Sequence, residues 1–205
     1  MKKKITPAAI LVTIFAAAVC VQGAPDESRF RQGPTHVNEG RPHQGEKRPG
    51  RVLTQHDLKR LDKMEKQWAA RLDMAGKSIA RGDDLSAKNY IDKAMETVED
   101  MKRALKVRGF ELTKVPRLAA MEKLTLTYAN LNKISSLSRN STNTIMMNRD
   151  RLARLTVQSY DYLKEAEAVF RAERAPGLAD ACIKLRMELG AAIKKIEKQT
   201  GTRIL

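Results

Sequence analysis

Catalysis needs a nucleophile, a base or a metal held where a fold can align it, and beyond residue 52 this chain offers few such groups. His56 is the one histidine there, followed directly by Asp57. The pair could serve as a base and its orienting carboxylate, but in the first turn of a helix it reads as a solvated dipeptide. Two carboxylate pairs stand at helical spacing, Glu96 with Asp100 and Asp161 with Glu165. Such pairs bind metal in bundles when a Glu-x-x-His partner completes the set. That partner is missing, and both pairs fall beside the apolar stripes rather than on them, so they read as solvated faces. His36 and His43 lie seven residues apart in a Pro/Gly-rich stretch that offers no fixed geometry for a metal. Phosphate-cradling glycine loops, zinc-protease helices, nucleophile elbows and paired-cysteine motifs are all absent from the sequence. The expectation is a chain without catalytic residues, metal or cofactor.

Positive charge is the remaining chemical signal. The 205 residues hold 39 lysines and arginines against 24 acids, a formal charge of +15. Lys102, Arg103, Lys106, Arg108, Lys114 and Arg117 crowd one stretch that contains a single acid, Glu111, and this stretch is expected to be the corner between two helices. Arg151 and Arg154 fall within about 60° of each other on an ideal helix, with Arg149 close by. These eight residues, Arg149 aside, are the candidate anion-binding set. Lysines complementing helix dipoles and pairs such as Glu99 with Arg103 account for part of the excess. The alternative account is a patch that attracts an anionic polymer or membrane surface, with affinity that falls as salt rises. Tyr90, Tyr128, Tyr160, Tyr162 and Trp68 lie close to apolar positions and read as core residues, not as stacking platforms for single-stranded nucleic acid.

The elements that must position these groups are helices. From Leu53 onward the composition turns to Ala, Leu, Met, Lys, Arg and Glu, all good helix formers. Thr54 is placed to cap a first helix with Leu58, Leu61, Trp68, Leu72, Ala75 and Ile79 on its stripe, interrupted by Glu65 and ending near Gly82. Asp83 or Asp84 caps a second, with Ala87, Ile91, Ala94, Val98, Met101 and Leu105 in unbroken heptads up to Gly109. Pro116 opens a third, which carries Leu118, Met121, Leu124, Tyr128, Leu131, Ile134 and Leu137 along one broad face. After the polar run 135–144, Thr142 or Asn143 caps a fourth helix, on which Ile145, Leu152, Leu155, Tyr162, Ala166 and Val169 form the stripe and Asn148 and Ser159 interrupt it. Pro176 and Gly177 stop that helix. The fifth runs through Leu178, Cys182, Leu185, Leu189, Ala192 and Ile196 to Gly201. The fold expected is all-α: an elongated antiparallel bundle of about five long amphipathic helices, without a sheet. A tetratricopeptide-like solenoid does not fit, because one helix here takes nearly the length of a whole repeat.

Residues 1–23 have the pattern of a secretory signal: Lys2, Lys3 and Lys4, then an uncharged apolar run to Val21, with Val21 and Gly23 at the positions a signal peptidase reads. The alternative is an uncut anchor, since residues 5–21 sit at the short limit for crossing about 30 Å of hydrocarbon. Residues 24–52 carry four prolines and four glycines between Pro25 and Gly50 and read as a disordered linker. The helical bundle is then residues 53–205. Removing residues 1–23 leaves the chain basic and leaves Cys182 without a cysteine partner, as a small apolar core residue or an intermolecular thiol. The chain is thus expected to be periplasmic or secreted, and non-enzymatic. It is expected to act as a structural or assembly partner in the cell envelope, through a protein partner or self-association. The alternative is an extracytoplasmic module that binds an anionic envelope polymer or membrane surface. Export disfavours chromosomal nucleic acid as the partner.

Overall fold

The computed structural model describes residues 53–204, so the expected signal segment 1–23 and the whole of the expected linker 24–52 lie outside the described residues. Every long element among the described residues is a helix: α1 Gln55–Arg81, α2 Asp84–Val107, α3 Pro116–Ser138, α4 Thr142–Met147, α5 Arg149–Ala172 and α6 Pro176–Thr200, with one 3-10 turn at Leu112–Lys114. Local chemistry sets their ends. The Asp57 N–H donates to the Thr54 hydroxyl at 3.1 Å while the Asp57 carboxylate accepts from the Thr54 N–H at 3.1 Å, a reciprocal box that starts α1. Asp83 caps α2 by accepting the Ser86 N–H. Gly82 closes α1 with φ 78°, a left-handed conformation that a side chain would strain.

The fourth expected helix is two helices. Ser141, not Thr142 or Asn143, caps α4, because its hydroxyl is the one placed to accept the N–H three residues on, at Thr144. Asn148 then ends α4: its backbone N–H and its side-chain amide both donate to the Thr144 carbonyl, a local alternative to continuing the helix. At the other end, α5 stops at Ala172, before Pro176. Pro176 instead occupies the first turn of α6, where its missing N–H has no consequence.

The helices run up and down, with α3 at the centre touching α1, α2, α4, α5 and α6. Nearly all of the stripe on α1, and every stripe residue named for α2 and α6, is buried, so these three faces were correctly placed by period alone. Two helices differ from expectation. On α3 the apolar stripe is buried except for half-buried Leu137, and so are Thr125, Thr127, Asn130, Ser135 and Ser138, because neighbours enclose this helix on most sides. On α5 the buried face is Leu152, Thr156, Ser159, Leu163, Ala166 and Phe170, rotated from the expected line through Leu155, Tyr162 and Val169. Thr156 and Ser159 tolerate burial because each hydroxyl donates to a carbonyl four residues back on its own helix, at 2.7 Å. Trp68 bridges α1 to the centre, its indole N–H donating to the Thr125 hydroxyl at 2.9 Å, which in turn donates to the Met121 carbonyl.

Candidate functional site

The antiparallel order assigns each candidate cation to an end of the bundle. One end gathers the start of α1, the end of α2, the 3-10 turn, the start of α3 and the end of α5. Lys102, Arg103, Lys106, Arg108, Lys114 and Arg117 belong here. Arg151 and Arg154 stand in the first two turns of α5, at the opposite end. A 23-residue helix lies between, about 35 Å at 1.5 Å per residue. The eight candidates therefore form two separate patches.

At the first end, acids meet five of the six candidate cations, and for Lys102, Arg108 and Arg117 an acid comes from another element. Arg108 pairs with Asp57 of α1 at 2.9 Å, and Lys102 lies between Glu99 and Glu122 at 2.7 and 2.8 Å. Arg103 pairs with Asp100, and Lys114 with Glu111 at 2.8 Å. Arg117 departs furthest from the surface role expected of it. Its side chain is 2% exposed, and its guanidinium meets Glu65 of α1 at 2.5 Å and Glu173, just past α5, at 3.5 Å, while lying over the Phe170 ring. A buried guanidinium cannot meet a surface anion, so Arg117 leaves the candidate set. The polar interruption at Glu65 and the expected surface cation at Arg117 are two halves of one buried pair. Burial raises the pKa of the Glu173 carboxyl above the ordinary range, opposed by the Arg117 charge. Hydrogen bonds from Thr54 and then Arg108 hold Asp57 below that range.

Lys106 remains exposed with no partner among the described residues. A cleft of about 470 Å³ at this end, which Lys106 does not line, is bounded by Asp57, Arg60, Asp100, Arg103, Val107 and Arg108 among others. Arg60 adds an unpaired guanidinium to this cleft; its Arg103 and Arg108 are held by their own aspartates.

At the second end Arg151 and Arg154 are exposed on the outer face of α5, also without partners among the described residues. Arg149 beside them is exposed and donates to the Arg203 carbonyl at 2.6 Å, fastening the start of α5 to the end of the chain. Residues 53–100 hold nine bases and ten acids, whereas residues 101–205 hold twenty-one bases and ten acids. Sequence reasoning missed the α4 tip at this end, where Met146 and Met147 are 49% and 88% exposed. The signal was a two-methionine run closed in between a capping serine and Asn148.

Groups with catalytic potential are dispersed. His56, Glu96, Asp161 and Glu165 are exposed, and no group of three His, Cys, Asp or Glu among the described residues is arranged to hold a metal ion. Cys182 is fully buried on α6, and burial pushes its thiol up to about 12. No helix among the described residues is long and apolar enough to cross a membrane. Comparisons of the chain with family models, curated proteins and solved structures find no match.

Proposed function

We propose that this chain is an exported, non-enzymatic binding module of the cell envelope that holds an anionic component, polymer or membrane surface, against its cationic end faces. The observation that carries the reading is the pairing pattern: most acids among the described residues are taken up by internal ion pairs and caps, while Arg151, Arg154, Lys106 and Arg60 stand exposed and unpaired. Uncompensated surface cations at the ends of a rigid body attract a polyanion over about a Debye length, roughly 8 Å at physiological salt. Seam-mediated self-association has less support, because the stripes that would drive it are spent inside the bundle. Assembly through another protein keeps one specific observation in its favour, the exposed apolar side chains Val107 and Met187.

The test is binding of the full chain to inorganic polyphosphate across a salt series. Affinity is expected to fall steeply with salt, and Arg151→Gln with Arg154→Gln is expected to reduce the slope of log affinity against log salt by about two. Binding that ignores salt, or the same slope in the double variant, rejects the reading for this patch.

A further inference from the structure

The α4 corner combines apolar exposure with positive charge. The helix is only Thr142–Met147, and its orientation is set by the Ser141 cap and by Ile145, which is buried against the bundle. With Ile145 taking the inward side, Met146 and Met147 are turned out to solvent. Leu85, 81% exposed on the first turn of α2, stands at the same end. Arg149, Arg151 and Arg154 follow within two turns, with Asp150 the sole acid in the first two turns of α5. At 1.5 Å per residue, Arg151 and Arg154 stand about 3 and 8 Å along the axis of α5 from its first residue.

We propose that this tip docks on an anionic lipid bilayer, Met146 and Met147 entering the boundary between headgroups and acyl chains while Arg151 and Arg154 meet lipid phosphates. The inference rests on the anionic-partner reading above and names its substrate class and site. Three features select a bilayer. A soluble polyanion has no use for the methionines. Exposed, flexible, unbranched methionine side chains adapt to a soft apolar boundary and need no complementary pocket. The arginines trail the apolar tip by a few ångströms, which matches the roughly 5–10 Å immersion of interfacial elements and leaves their charges at phosphate depth.

The experiment uses the full chain with Cys20→Ser, carrying an environment-sensitive fluorophore at Met147→Cys or, as the control at the opposite end, at Val107→Cys. Cys182 is buried and stays unlabelled in the native protein. Vesicles are phosphatidylcholine with or without phosphatidylglycerol. The label at position 147 is expected to shift to the blue on phosphatidylglycerol vesicles and not on pure phosphatidylcholine, while the label at position 107 stays in water. Arg151→Gln with Arg154→Gln is expected to weaken vesicle binding about 25-fold, some fivefold per charge. The local label separates tip insertion from any association through residues 5–21. A label at 147 that remains in water on phosphatidylglycerol vesicles overturns the tip proposal. If salt-dependent polyphosphate binding persists in that case, the anionic-partner reading stands without it; if both fail, both fall. A shift that also occurs on neutral vesicles, or on concentrating the protein without lipid, overturns the proposal by removing the charge requirement or assigning the tip to a second copy.

Discussion

Glu65 and Arg117 each violate a local rule, one by placing an acid on an apolar stripe and the other by burying a guanidinium, and each is the reason the other is tolerated. Removing one partner of a buried pair leaves an uncompensated charge, which costs more than the pair itself is worth. Glu65→Ala is therefore expected to destabilise the fold by about 3 kcal/mol in urea unfolding, and Glu65→Met combined with Arg117→Met to recover most of that loss. A double variant as unstable as the single would show that the contact carries structure beyond its charge. Glu188 on α6 makes a different case, because one of its carboxylate oxygens is buried without a partner. Burial raises its pKa, with Lys184 opposing. A carboxyl raised on folding favours the native state at low pH, and that contribution disappears as pH rises through the folded value. Asp57 and Asp83 are held low and act with the opposite sign, but they are common to variant and parent and cancel in the difference. Glu188→Met is thus expected to be more stable than the parent at pH 7 by about 1 kcal/mol. The gap should close as pH falls toward the ordinary glutamate value of about 4.3. Urea melts at three pH values check it, and a gap independent of pH would reject it.

Helices were legible where their buried residues are apolar and illegible where hydroxyls are buried. The α2 stripe of Ala87, Ile91, Ala94, Val98, Met101 and Leu105 has no polar member, and period alone located it. On α5 the predicted line took Ser159 as an interruption and ran through Leu155 and Tyr162, whereas the buried face includes both Thr156 and Ser159. In a helix a threonine or serine hydroxyl can satisfy itself on the carbonyl one turn back, and the residue then packs as a small apolar one. This predicts a contrast between two threonines with the same backbone bond. Thr156→Val is expected to stay within about 1 kcal/mol of the parent, because its hydroxyl donates only back to the Leu152 carbonyl of its own helix. Thr125→Val is expected to cost about 1–3 kcal/mol, because it orphans the Trp68 indole N–H in the core. Equal costs in thermal or urea unfolding would remove the distinction. The break at Asn148 was visible as an interruption, yet whether an asparagine ends a helix or merely interrupts its stripe depends on what its side chain finds to bond.

For the molecule as a whole, charge is where sequence and structure part. Composition gives an excess of cations, and the cluster between Lys102 and Arg117 looks like its focus. Packing reverses the emphasis, since α1 and the end of α5 bring Asp57, Glu65 and Glu173 to that cluster, while Arg151 and Arg154 at the far end receive no such partner. The same packing decides the fate of Cys182, which the sequence left as either core residue or exposed thiol and the bundle encloses. Helix class, the principal stripes, most caps and the all-α architecture follow from the order of residues, because period, capping and glycine conformation act within a few residues along the chain. Which cations stay free, which helix is central, and which corner shows its methionines to solvent follow from tertiary structure. Each depends on how separate helices pack against one another, which no local pattern encodes.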